Sequence, residues 1–410
     1  MRYITLAKRW VYNHRIEGGI AITDKRSKPY PEVTGYFIPT LLDWRLEDLA
    51  CDCASELMKL QSKDGSFPAP GGSKGYAFDT GQVIRGLCRV VSLVPGSEAS
   101  LRAACDWMVK NTQNGRLPVP TAGWALGPRG TVDEAVHLYA LVGLYQAGEL
   151  LNEPRYLRCV LKARDYYSKI SHITDFAKPW MLSHFFMYIQ EGLIDLNLHE
   201  LARQGMSSLA KYQREEDLIP AYHDVSWLCT PGQLQAALCL FKLEEYRKAE
   251  LLVERVQGLQ NSSGGFYGSY GQGAEYFADE EPSWIIKFYL DARKILNGIK
   301  ENDMLSNMSS CDWHNAITGK KNPTCLAKKI VDNKLPVWLE PVLAATDPND
   351  STLELGSGTG ELSAILAKNK RHVHLLDFSI ESLKFARTLF KEVGVHGEYY
   401  CSDILNGLPF

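Results

Sequence analysis

Apolar residues recur along the first three quarters of the chain at three- and four-residue spacing, in runs broken by polar turns. Five turns share one pattern of polar residue, bend and apolar residue: "RIEGGIAI", "QSKDGSFP", "QNGRLPVP", "QREEDLIP" and "QNSSGGFYG". Their key apolar residues are Ile20, Phe67, Leu117, Leu218 and Phe266, at intervals of about fifty residues with one interval doubled. The doubled interval leaves room for a degenerate copy near "HITDFAKP". Each turn precedes a nearly all-apolar run such as "LYALVGLY" or "LQAALCLF". Every such run but the last is followed by a one-faced stretch such as "ELARQGMSSLAKYQ". The opening "ITLAKRWVYNH" supplies the remaining one-faced helix. Six inner and six outer helices that cannot bury themselves singly predict an all-α (α/α)6 toroid over residues 1–297.

The pattern changes after "YLDARKILNG". Residues 298–323 are polar and aperiodic and read as a linker. From residue 324 a helical stretch leads to "STLEL", the turn "GSGTG", the helix "ELSAILAKN", the strand "HVHLL" ending at Asp377, the helix "SIESLKFARTLFKEVG" and the strand "GEYYCSD" ending at Asp403. Strand–helix–strand–helix–strand predicts a parallel α/β unit with right-handed crossovers.

The glycine turn is a cofactor cradle. A dinucleotide site needs Gly-x-Gly-x-x-Gly, and here Glu361 stands where the third glycine belongs. Glu354 just before the turn adds a second carboxylate, which repels pyrophosphate but not a ligand carrying an ammonium. The stretch closely resembles motif I of class I S-adenosylmethionine-dependent methyltransferases, a Rossmann-like fold, over roughly residues 325 to 410. The resemblance implies S-adenosylmethionine as cofactor, with Gly356, Gly358 and Gly360 in the turn and Glu354 ordering the methionine end. It implies Asp377 on the ribose hydroxyls, Phe378 beside the adenine, Asp403 on the adenine amino group and Ile404 lining the ring. Family members have a seven-stranded sheet, so residues 324–410 are expected to be the first half of such a domain, cut after the third strand. No catalytic residue for methyl transfer is assigned.

The turns Gln61–Phe67 and Gln260–Phe266 resemble those of terpene-cyclase and prenyltransferase toroids, and "YFADEEPSWIIKFYLDA" resembles the helical domain of uronyl C5-epimerases. The toroid lacks the Asp-x-Asp-Asp acid of class II cyclases, and "YHDVSWLC" is a poor zinc set, so both of those activities are disfavoured and no metal is expected. Residues at the starts of the inner helices face the mouth: Tyr76, Asp79, Glu134, Trp180, Trp227 and Trp284, with Asp133, His184 and Glu281 nearby. Rings that stack on sugars and carboxylates that bind hydroxyls or move protons suit a glycan pocket. The same acids would equally cap helices and the same tryptophans fill the barrel.

Composition adds little and excludes more. With 23% charged residues and a net charge of −3, nothing recommends nucleic acid. No apolar run reaches a membrane span, and the N-terminus lacks a signal-peptide pattern. Ten scattered cysteines without a CxxC pair read as reduced thiols in a cytoplasmic protein. Two functions follow. In one, a methyltransferase carries a toroid that binds or processes a small-molecule or glycan acceptor, such as a glycoconjugate precursor. In the other, a glycan-acting toroid (epimerase, lyase or sugar-binding module) carries a vestigial or regulatory cofactor domain.

Overall fold

The computed structural model describes residues 2–69, 74–118, 126–127, 129–213, 218–306, 322–332 and 339–402. The chain divides into two compact units, Met1–Asn297 and Gly298–Phe410.

The first unit holds twelve helices in alternation among its described residues. The outer ones are α1 (Arg2–Asn13), α3 (Glu47–Leu60), α5 (Ser97–Asn111), α7 (Pro154–Tyr167), α9 (His199–Ala210) and α11 (Tyr246–Gln257). The inner ones are α2 (Pro31–Asp43), α4 (Ala77–Val90), α6 (His137–Leu150), α8 (Ser183–Asp195), α10 (Thr230–Lys242) and α12 (Ser283–Ser306). Burial follows the hydrophobic pattern. Every residue of α8 from Ser183 to Ile194 is buried, whereas α7 buries one stripe, Tyr156, Cys159, Val160, Ala163 and Tyr167. A helix enclosed on all sides must be apolar all round, and a helix with one covered side needs one apolar face. Inner neighbours approach at glycines: a Cβ on Gly86 would lie 2.2 Å from Gly35 O, and one on Gly143 would lie 2.3 Å from Gly81 O. Helix α12 runs on to Ser306, into the stretch predicted as linker; residues 307–321 lie outside the described residues.

The repeated turn explains its own sequence. Gln61 Nε2 donates to Gly65 O and to Ser100 O of α5, both at 2.9 Å. In the last repeat Gln260 Nε2 donates to Gly264 O at 2.9 Å and to Tyr3 O of α1 at 3.1 Å. The glutamine thus closes its own turn and staples it to the next outer helix. Gly65 (φ +94°) and Gly264 (φ +101°) take the left-handed backbone the turn requires, and each presses on that helix, 2.3 Å from Ala103 O and 2.2 Å from Leu6 O for an added Cβ. The last staple joins the final repeat to the first helix and closes the ring. Trp10 Nε1 on α1 reinforces it by donating to Glu281 Oε2 at 2.6 Å. Short antiparallel pairs decorate the loops: β1 (Arg15–Ile16) with β2 (Gly19–Ile20), β3 (Leu126–Gly127) with β4 (Gly130–Thr131), and β5 (Leu228–Cys229) with β6 (Ser269–Tyr270).

The second unit is a three-stranded parallel sheet in the order β7 (Ser351–Leu355), β8 (His372–Asp377), β9 (Glu398–Cys401). Helices α13 (Pro323–Val331), α14 (Glu340–Ala344), α15 (Glu361–Lys368) and α16 (Ile380–Val393) complete it. Its core joins Leu326 and Ile330 of α13, Ile365 of α15, Val373 and Leu375 of β8, and Leu383, Leu389 and Phe390 of α16. Ser379 caps α16, its hydroxyl accepting from Ser382 N at 3.2 Å. Leu353 and Leu355 alternate to the outside of β7, 38% and 50% exposed.

Candidate functional site

Strand β7 delivers the chain into the turn Gly356–Gly360, where Gly356, Gly358 and Gly360 all have positive φ (+65°, +51°, +68°). Three left-handed residues within one turn fold the backbone tightly enough to point its amides at the end of β8. Gly358 N donates to Asp377 Oδ2 at 2.7 Å, and Ser379 N donates to Asp377 Oδ1 at 2.8 Å. Ser357 N donates to Leu376 O at 3.1 Å. The carboxylate of Asp377, 2% exposed, therefore pins the glycine turn to the second strand and keeps further lone pairs on each oxygen. Gly360 serves packing: a Cβ there would sit 2.8 Å from both Ala386 Cβ and Leu375 Cδ2. Gly356 is the opposite case, exposed, with nothing within 4 Å of an added Cβ.

Glu354 Oε2 accepts from Ser363 N at 3.2 Å and from Ser363 Oγ at 2.5 Å, which ties β7 to α15. Burial raises its pKa above the usual carboxylate range, and the charge of Asp377 raises it further, against the Ser363 hydrogen bonds. Among the described residues neither acid forms an ion pair with a lysine or arginine. The Ser357 hydroxyl is buried without a hydrogen-bond partner. Phe378 is 41% exposed beside Asp377. Ser402 N donates to Asp377 O at 3.1 Å, so the end of β9 lies against the same strand end; Asp403 and Ile404 lie outside the described residues. The arrangement offers an open backbone turn, two carboxylates without a cation and a spare hydroxyl. That donor set suits a cationic ligand and opposes a pyrophosphate.

Residues 318–409 match the family model of the methyltransferase small domain. The matched span includes strands β7–β9 and the glycine turn after β7. No curated protein matches the chain. Solved structures resemble the first unit. A glycosidase in complex with glucose aligns with a TM-score of 0.58 at 10% identity, over 72% of this chain and 97% of that one. An unsaturated glucuronyl hydrolase specific for heparin gives 0.55 at 14%, over 73% and 96%. A polysaccharide lyase gives 0.53 at 10%, over 73% and 98%. At such identity the likeness establishes the α/α toroid fold.

In the toroid the predicted mouth residues separate. Asp79 is fully buried in the first turn of α4, and its charge bears on the Tyr30 hydroxyl. Trp227 and Trp284 are buried, packed edge-on against Tyr222 and Phe277. Tyr76 is half-buried at the N-cap of α4. Glu134 is held by Arg116 through two contacts of 2.7 and 3.1 Å, and Trp180 is 41% exposed against the His172 ring. His172 in turn pairs with Asp133.

The group that sequence reasoning missed is Glu32. It is the second residue of α2, where an acid reads as compensation for the helix dipole. It is 5% exposed, and burial pushes its pKa up to about 7, held back by the Tyr30 and Tyr188 hydroxyls. Tyr188 is the hub of an aromatic plug, with ring centroids 4.6 Å from His184, 4.8 Å from Tyr139 and 5.0 Å from Phe78. Burial lowers His184 to about 4, its Nδ1 lying 2.5 Å from Gln235 Oε1, so that imidazole is neutral. The described cysteines are free thiols, and burial pushes Cys53 and Cys229 up to about 12, so neither ionises at neutral pH. No described helix is long and apolar enough to cross a membrane.

Proposed function

We propose that this chain is an S-adenosylmethionine-dependent methyltransferase whose toroid binds or processes the acceptor, a glycan or glycoconjugate precursor. The observation that carries the reading is the pair Glu354 and Asp377 flanking an open, left-handed glycine turn, with no cationic side chain paired to either among the described residues. The bound cofactor supplies an activated methyl on a sulfonium centre. The chain's own residues then have positioning work to do. Gly356 admits the methionine end against bare backbone, and Glu354 orders its ammonium. Asp377, already fixed by two amides, presents its remaining lone pairs to the ribose, and Phe378 offers a ring face to the adenine. Solved toroids of this fold include enzymes named for heparin and polysaccharide substrates, which supports a glycan acceptor.

Calorimetric titration of the full-length protein with S-adenosylmethionine and with its demethylated product tests this without needing the acceptor. Both bind in the expected outcome, and Asp377→Asn weakens them about tenfold or more, the loss of a charge-assisted hydrogen bond. A protein that binds neither at millimolar concentration sinks the reading.

A second reading has its own observation. Glu32, poised to hold a proton at neutral pH among tyrosines in a toroid, has the properties of a general acid acting on a sugar. If the toroid is the catalytic part, turnover of a glycan falls as pH rises through about 7, and Glu32→Gln abolishes turnover without touching cofactor affinity.

A further inference from the structure

At the opposite end of the barrel, all six inner helices contribute to one cavity of about 470 Å³, within the range of small-molecule pockets. Tyr36 of α2, Arg85 of α4, Tyr145 of α6, Glu191 of α8, Lys242 of α10 and Lys287 of α12 line it. We propose that this cavity is a binding site for a neutral saccharide.

The walls carry five cationic and four carboxylate side chains, most of them bound to one another. Lys242 Nζ lies 2.9 Å from Glu191 Oε1 and 2.6 Å from Asp195 Oδ1. Lys287 Nζ lies 2.8 Å from Asp291 Oδ2 and 3.4 Å from the Tyr139 hydroxyl. Arg85 differs. Its Nη2 donates to Tyr139 O at 3.0 Å and its guanidinium lies over the Tyr139 ring at 4.1 Å, with no carboxylate in ion-pair contact among the described residues. Two polar atoms in this wall are buried without partners, Arg85 Nε and Glu191 Oε2, on side chains only 9% and 3% exposed. Glu191 nevertheless stays ionised, because Lys242, Lys287 and Arg85 outweigh the burial that would raise its pKa. Buried polar groups without a partner call for one, and here they comprise one donor and one acceptor.

The charge balance selects the class of ligand. An anion is drawn by the cations and repelled by the four carboxylates, and a cation meets the reverse. An apolar ligand would strip water from nine charged groups at great cost. A neutral molecule dense in hydroxyls loses least, since each hydroxyl both donates to carboxylates and accepts from ammonium or guanidinium groups. The half-buried Tyr145 adds aromatic surface for the ring. The site lies at the far end of the inner helices from Glu32 and Asp79.

Calorimetry on the full-length protein with glucose, maltose, glucuronate and inorganic phosphate tests it. A neutral sugar is expected to bind in preference to glucuronate and phosphate. Glu191→Gln weakens it at least tenfold, as does Tyr145→Ala, whose half-buried side chain leaves the fold intact, while S-adenosylmethionine affinity stays unchanged. Three results overturn the assignment: no heat from either neutral sugar at millimolar concentration, tighter binding of glucuronate or phosphate, or sugar binding that is lost in Glu32→Gln and indifferent to Tyr145→Ala. The first outcome leaves a water-filled ion-pair network.

Discussion

The cofactor turn and the barrel cavity both rest on buried carboxylates, assembled in opposite ways. Asp377 is fixed by amides of Gly358 and Ser379, residues of the same strand–turn–helix stretch. Glu191 is fixed by Lys242 of the next inner helix, with Lys287 and Arg85 acting on it from two others. Backbone geometry therefore decides the first site, and side chains converging from distant repeats decide the second. Within the barrel the contrast recurs: Glu32 and Glu191 are almost equally buried, yet hydroxyl neighbours leave one near neutrality of charge and cationic neighbours keep the other ionised. Burial sets how much a partner matters; the partner sets the protonation state.

The hardest test of that contrast is Glu191→Leu. It leaves Lys242 beside Asp195 but takes the central anion from the buried Arg85 and Lys287 and the half-buried Lys242, and a loss of about 3–5 kcal/mol is expected for the toroid. Chemical denaturation measures it. A loss below about 1 kcal/mol would mean that Glu191 is not the centre of the network.

Next in size is the pH dependence carried by Glu32. Its folded pKa of about 7 lies above the ordinary carboxylate value of 4.5, so the folded state holds the proton more tightly than the unfolded one. The stability from this group is complete below about pH 4.5, declines as pH rises through about 7, and the whole change is on the order of 3 kcal/mol. Glu32→Gln, always neutral, removes that decline. Stability curves of the two proteins that stay parallel from pH 4.5 to 8 would refute the assignment.

The smallest expected effect tests the turn. Gly360→Ala forces an L-residue to φ +68° and drives a methyl into Ala386 and Leu375, for roughly 2 kcal/mol. Hydrogen exchange should show the loss in strands β7–β9 and not in the inner helices. Gly356→Ala makes a useful companion, since open space surrounds that position: it strains the backbone without a clash and is expected to cost less.

These contrasts also explain what the chain disclosed before its structure. The toroid was legible because enclosure on all sides makes α8 and α10 predominantly apolar, and the glycine turn was legible because its spacing is local. The role of Asp377 was only half legible: its place at a strand end is a matter of sequence, while its hold on Gly358 N is a matter of tertiary geometry. The surroundings of the mouth residues were not legible. Glu134 is paired with Arg116, and Trp227 and Trp284 are buried among other rings, contacts that periodicity does not record. Glu32 and Glu191 were invisible for the same reason. Each looks like an ordinary helical acid until helices from other repeats arrive around it.

The closure of the ring has a temporal side. Helix α1 leaves the ribosome ahead of the rest of the toroid, but its partners Gln260, Gly264 and Glu281 belong to the toroid's last repeat. At ordinary synthesis rates the helix waits on the order of ten seconds or more with Ala7, Trp10 and Val11 uncovered. During that interval it is a sticky, amphipathic helix in search of an apolar groove. A chaperone that shelters nascent chains would therefore have more to do for this toroid than for one whose first helix packs on its second.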